Sequence, residues 1–196
     1  HTANRRQRQM CIRDSLNVGP ERAEKRNIGL KDANEKANES YIIRDIGPSA
    51  NGKGRTIKIT AYGRTNTAEG VTKIIGDFGE GNDTVIFGTV ESATDAAGNI
   101  IEPGPNSPPP TVTDFPTIPV EILMGDGDDS VSYSGTDSTS TIKLGNGDDY
   151  AGLTQSARGK VWGENGNDFI QNMGDGSVTI QGGGGDDRLI GNTSSD

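Results

Sequence analysis

The chain is short of most of what a conventional core or a conventional active site is built from. Its 196 residues include one Cys, one His and one Trp, with 5% aromatic and 30% hydrophobic residues. That is too little apolar side chain to offset chain entropy through an ordinary packed core. No run of about 18 apolar residues is present, which excludes a transmembrane helix, and no apolar signal-peptide core is visible. Cationic charge is also scarce: the net charge of −9 argues against nucleic acid and against insertion into, or binding to, anionic membranes. His1 and Cys11, the only imidazole and the only thiol, both lie in the first fifteen residues. No HExxH and no GxSxG occurs, and no downstream His can complete a triad, so the chain is expected to be catalytically silent.

Glycine and acid are abundant, and they occur together. Residues 1–70 carry 14 Lys/Arg against 8 Asp/Glu, whereas residues 71–196 carry 5 against 20 and hold 22 of the 29 glycines. A cation-binding loop array needs that combination, and a helical protein avoids it.

Residues 1–15 match nothing downstream. The stretch RRQRQMCIRDS resembles translated sequencing-adapter sequence and is expected to be an artefact or a disordered region; the alternative is a basic arm for an anionic partner. The lack of an initial Met and of a closing tail after Asp196 suggests a piece of a longer protein. Residues 16–70 read as a β-containing segment of uncertain fold. Ile28 to Ala37 suits a short helix or a polar loop, and Tyr41–Ile46 and Thr56–Thr60 suit strands around a turn at 47–52.

An internal repeat dominates the remainder, 71–196. Gly-x-Gly-x-Asp or a near variant occurs at Gly79–Asp83, Gly125–Asp129, Gly145–Asp149, Glu164–Asp168 and Gly183–Asp187, and the last four are 20, 19 and 19 residues apart. Two residues after each final Asp stand Val85, Val131, Ala151, Ile170 and Leu189. Seven residues before the last four stand Ile122, Ile142, Val161 and Ile180. Each unit thus reads as strand, glycine turn, strand and second turn. Units this short cannot bury their own apolar face, so they are expected to stack, with the two apolar positions forming two thin columns.

The turn chemistry favours calcium. Gly stands two residues before the final Asp in every copy, where a Cβ would hinder positive φ and close approach to an ion. The residue before the final Asp is always Asn or Asp, types that tolerate left-handed backbone. Turn carbonyls and one carboxylate per turn are hard oxygen donors, which select calcium over zinc or copper, and magnesium demands stricter geometry. The expected ligand-bearing residues are Gly125, Gly127, Asp128 and Asp129; Gly145, Gly147, Asp148 and Asp149; Gly166, Asn167 and Asp168; and Gly183, Gly185, Asp186 and Asp187. Asp83, 46 residues before Asp129, is the remaining expected member.

The segments Phe78-GEGNDTVI, Met124-GDGDDSVS, Leu144-GNGDDYAG, Gly163-ENGNDFIQ and Gly182-GGGDDRLI resemble the nonapeptide GGxGxDxUx of RTX, or haemolysin-type, calcium-binding repeats. The resemblance is close over 120–196 and moderate over 71–88. It implies an all-β fold: a right-handed parallel β-roll, a β-solenoid with coils of about 19 residues, as in the C-terminal domain of serralysin-like proteases. It further implies Ca²⁺ between successive turns, and unfolded export from a Gram-negative bacterium by type I secretion to the extracellular space or cell surface. The alternate turns at 134–137, 154–157 and 173–176 lack the motif, so calcium is expected along one edge only, with three sites among the four contiguous turns. Glu164 replaces the usual second Gly, which weakens the expectation at Asp168. A proline-rich break at 91–119 separates Asp83 from the rest and reads as a loop or hairpin pushed out of the stack.

Competing readings are weaker. A flexible acidic linker needs no apolar positions in phase with its glycines. An EF-hand lacks its sixth-position Gly here, and a carboxylate dyad such as Asp128/Asp129 would be needed once, not repeatedly. Trp162 is expected to pack against a coil in preference to serving as a sugar platform. Two functions remain: a calcium-dependent structural module of a secreted or surface adhesin or toxin, or the non-catalytic repeat domain of a secreted metalloprotease or lipase. In either case a host-surface or matrix ligand is expected to engage other parts of the parent protein.

Overall fold

The computed structural model describes residues 16–18, 38–61, 63–91 and 111–192. The stretch 1–15, the helix or loop expected at 28–37 and most of the proline-rich break lie outside the described residues.

The described chain is all-β and contains no helix. One sheet holds six strands: β1 (Leu16–Val18), β5 (Ile74–Glu80), β9 (Val120–Asp126), β11 (Thr141–Asn146), β13 (Gly159–Asn165) and β15 (Val178–Gly184), in that spatial order and all parallel. The other sheet runs, in order, through β16 (Arg188–Ile190), β14 (Phe169–Asn172), β12 (Tyr150–Leu153), β10 (Ser130–Tyr133), β6 (Thr84–Phe87), β2 (Ser40–Pro48), β3 (Arg55–Ala61) and β4 (Arg64–Val71). Pairing is parallel from β16 to β2 and antiparallel from β2 to β4. From β9 onward the chain alternates between sheets, a long strand in the first and a short one in the second, with a glycine turn between them. The antiparallel part was not expected. The two strand-like runs of the N-terminal segment fall in β2 and β3, and β4, too polar to read as a strand, joins them. This hairpin continues the second sheet directly, through β2 beside β6.

The proline-rich break leaves and returns at a pair of short antiparallel strands, β7 (Thr89–Glu91) and β8 (Thr111–Thr113). The chain then re-enters register, with Gly79 beside Gly125 and Ile74 beside Val120. Repeat 71–88 therefore pairs directly with the repeat that follows the break. Asp45, fully buried on its side chain, takes two 2.8 Å bonds from Arg55 Nε and a bond from Thr117, which ties the return of the break to the hairpin.

Strand alternation places the core between the sheets. The predicted columns are there: Ile122, Ile142 and Val161 on one side, Val85, Val131, Ala151 and Ile170 on the other, all buried, while Ile180, on the edge strand of the first sheet, is only partly so. The core is wider than two columns. Phe78, Met124 and Leu144 add a further column in the first sheet, and Ile43, Phe87, Tyr133 and Leu153 add one in the second. Phe87 and Tyr133 meet edge to face at 5.5 Å. Leu189 departs from expectation: it lies on β16, the outermost strand of its sheet, and is 45% exposed because no described strand covers it.

Stacking also accounts for the turn glycines. A Cβ built on Gly147, at φ +135°, would stand 2.1 Å from the carbonyl oxygen of Gly127 in the preceding turn. The close neighbour is thus main chain, not space reserved for an ion. Gly147→Ala is expected to cost at least about 2 kcal/mol through backbone strain and displacement of that carbonyl. A thermal melt should show the midpoint lowered by roughly 5 °C or more.

Candidate metal centre

The five repeated aspartates form one continuous line along the glycine-turn edge. The Oδ1 of each accepts a hydrogen bond from the backbone N–H of the corresponding residue one turn earlier. Asp83 N–H donates to Asp129 (2.7 Å), Asp129 to Asp149 (2.7 Å), Asp149 to Asp168 (3.1 Å) and Asp168 to Asp187 (3.0 Å). Asp83 is therefore a full member of the line, across a gap of 46 residues in sequence.

The line has a sixth member that the sequence reading missed. Glu39 N–H donates to Asp83 Oδ1 at 2.6 Å, and Ser40 and Tyr41 pair with Thr84 and Val85. Asn38-Glu39-Ser40-Tyr41 thus occupies the register of Asn82-Asp83-Thr84-Val85. The available signal was an Asn–acid pair followed by a hydroxyl and an apolar residue; the missing glycines concealed it.

Asp83, Asp129, Asp149 and Asp168 are each at most 3% exposed, and the second carboxylate oxygen, Oδ2, of all four is buried without a hydrogen-bond partner. Burial pushes the carboxyl of Asp83 up to about 6 and those of Asp129 and Asp149 up to about 7, against the lowering effect of the N–H each accepts; neighbouring carboxylates add to the rise. Burial raises Asp168 in the same direction. A buried ionised oxygen without a partner is costly, and either a proton or a bound cation relieves it.

The donor set fits a hard cation. The turns at Asp83, Asp129, Asp149 and Asp168 each offer one unpartnered carboxylate oxygen, beside a glycine-rich main chain in which Gly125, Gly127, Gly145, Gly147, Gly166, Gly183 and Gly185 all take positive φ. Among the described residues no three His, Cys, Asp or Glu side chains converge as a metal cluster. A cation on this edge would therefore draw on carboxylates of successive turns together with main-chain carbonyls, a set suited to calcium.

The residues just before the final Asp have a different role from the one expected. Positive φ among non-glycines is confined, in the described residues, to Asp114, Gln155 and Glu164, so Asn82, Asp128, Asp148, Asn167 and Asp186 are not left-handed. They form a second, exposed ladder instead. Asp148 N–H donates to Asp128 Oδ1 (3.0 Å), Asn167 N–H to Asp148 Oδ1 (2.8 Å) and Asp186 N–H to Asn167 Oδ1 (2.9 Å). Asp128 N–H likewise donates to Asn82 Oδ1 (3.2 Å), so one oxygen each of Asn82, Asp128, Asp148 and Asn167 is engaged in joining turns. Among the described residues the opposite edge carries no buried aspartate line: it is joined by Ser134 Oγ to Thr154 Oγ1 at 2.7 Å, Asn172 Nδ2 to the Gly176 carbonyl at 3.0 Å and, at the surface, Ser156 Oγ to Asp175 Oδ1 at 2.7 Å.

Glu164 stands in register with Gly145 and Gly183 yet has φ +79°, and its carboxylate pairs with Lys143 Nζ at 2.6 Å. Trp162 faces outward, half-buried, with Lys143 Nζ 5.7 Å from its ring centre. Compared with known proteins, the chain matches no family model, and no curated protein and no solved structure is significantly similar to it.

Proposed function

We propose that this chain is a calcium-binding β-roll of the haemolysin-type repeat class, a structural module of a secreted or cell-surface bacterial protein such as an adhesin or toxin. The observation that carries the reading is the line of buried aspartates, each with one oxygen engaged by the neighbouring turn and the other unpartnered. Calcium held by the second oxygens would neutralise charge that burial otherwise penalises, and would tie each turn to the next. The parallel register of the repeats, which stacks the motif turns and their buried aspartates on one edge, supports calcium along that edge. In calcium-poor surroundings the chain would stay unfolded, and in calcium-rich surroundings binding energy would become folding energy. The proposed role is mechanical: a calcium-set scaffold with no chemistry of its own.

Asp149 sits in the middle of the line, between Asp129 and Asp168. In isothermal titration with calcium, Asp149→Asn is expected to bind one or two fewer ions per chain than the wild type. Circular dichroism at high calcium verifies that the variant is folded. An unchanged ion count in a folded variant would refute the assignment.

A further inference from the structure

We propose that the groove beside Trp162 binds a neutral saccharide, a function separate from the aspartate line. The groove, about 540 Å³, is lined by Asn146, Trp162, Glu164, Asn165, Gln181 and Gly182. Its shape follows from the register. Lys143, Trp162 and Gln181 are consecutive members of one outward column of the first sheet, and Gly145, Glu164 and Gly183 are consecutive members of the next. The last long strand carries Gly182, Gly183 and Gly184 in succession, so beyond Glu164 no side chain rises and a hollow remains beside Trp162 and Gln181.

Glu164 is the second observation. Every other repeat has Gly at this register, and the glutamate stands there at φ +79°, a conformation that costs a residue with a Cβ on the order of 1 kcal/mol. Its pairing with Lys143 joins two side chains each about two-fifths exposed, and such surface pairs contribute little. The fold does not require this glutamate; a polar contact in the groove gives it a use.

The chemistry selects the ligand class. The only Trp of the chain supplies a flat apolar face for the C–H side of a sugar ring. Asn165 Nδ2 donates to Asn146 Oδ1 (2.8 Å) and Asn146 Nδ2 to Asp126 Oδ1 (2.6 Å), which fixes the two amides along the groove. The Asn165 oxygen and the Gln181 amide remain to accept from and donate to vicinal hydroxyls. A cationic ligand would meet Lys143, already above the ring and on the glutamate. An anionic ligand would meet Glu164 and the acidic turns. A neutral polyhydroxyl ligand meets neither conflict.

The test uses calcium-saturated protein whose fold is verified by circular dichroism, which separates failure of this proposal from failure of the calcium reading. Cellotetraose, maltotetraose and chitotetraose are titrated by isothermal calorimetry and, in the wild type, by the emission of Trp162. At least one is expected to bind saturably, with a dissociation constant on the order of 1 mM, and to shift the Trp162 emission. Trp162→Ala should abolish the binding. Glu164→Gly should leave the melting temperature unchanged or raise it, yet weaken binding at least threefold. Absence of saturable binding by all three sugars overturns the proposal, as does binding that persists unchanged in both folded variants.

Discussion

Stripped of divalent cations, the protein is expected to be more stable at pH 5 than at pH 8, the reverse of its behaviour with calcium. Asp83, Asp129 and Asp149 have their carboxyls raised from 3.8 to about 6, about 7 and about 7, chiefly by burial, and Asp168 is raised as well. A group whose folded value lies above its unfolded value holds its proton more tightly in the fold. Its contribution is fully present below about pH 4 and is lost as pH rises through 6 to 7. All four shifts have the same sign, so without a cation the fold loses stability as these aspartates ionise. Calcium inverts the sign because it competes with protons for the same oxygens: lowering the pH then displaces the ion. Thermal melts between pH 4.5 and 8.5, in chelator and in excess calcium, should give midpoints that fall with pH in the first series and rise in the second. Parallel curves would contradict the account.

The turns were the legible part of this chain. Glycine and aspartate at fixed offsets, in phase with Ile122, Ile142 and Val161 and with Val131, Ala151 and Ile170, were enough to place the strands, the stacking and the edge that carries the acids. Phe78, Met124 and Leu144 were visible but read only as the first position of the motif, so the width of the core was missed. The ladders were illegible for a physical reason. A carboxylate that accepts from an N–H 19, 20 or 46 residues away leaves no local pattern, and the same Asn and Asp residues suit a left-handed turn equally well in isolation. Glu39 was hidden similarly, because its membership depends on β2 lying beside β6 and not on any glycine signature. Glu164 went the other way: the sequence marked it as a weakened turn, and the structure gives it a place in an outward groove.

Calcium removal is expected to have the largest effect. Adjacent parallel strands lie roughly 5 Å apart, and at that spacing two like charges at a protein-like dielectric repel by about 3 kcal/mol. The line of Asp83, Asp129, Asp149, Asp168 and Asp187 contains four such adjacent pairs, all at one edge of a thin core. With every carboxylate ionised, the repulsion is comparable with the net stability of a domain of this size. Each calcium site occupied at a hundred times its dissociation constant adds about 2.7 kcal/mol and neutralises charge as well. The most direct measurement is far-ultraviolet circular dichroism at pH 7.5 with a thermal melt, in 5 mM calcium, in 5 mM magnesium and in EDTA. The account predicts a β-sheet spectrum and a cooperative transition in calcium. In EDTA it predicts a largely unfolded spectrum or a midpoint lower by at least roughly 15 °C, with magnesium unable to restore the difference. The same β-sheet spectrum and the same midpoint in EDTA as in calcium would contradict it.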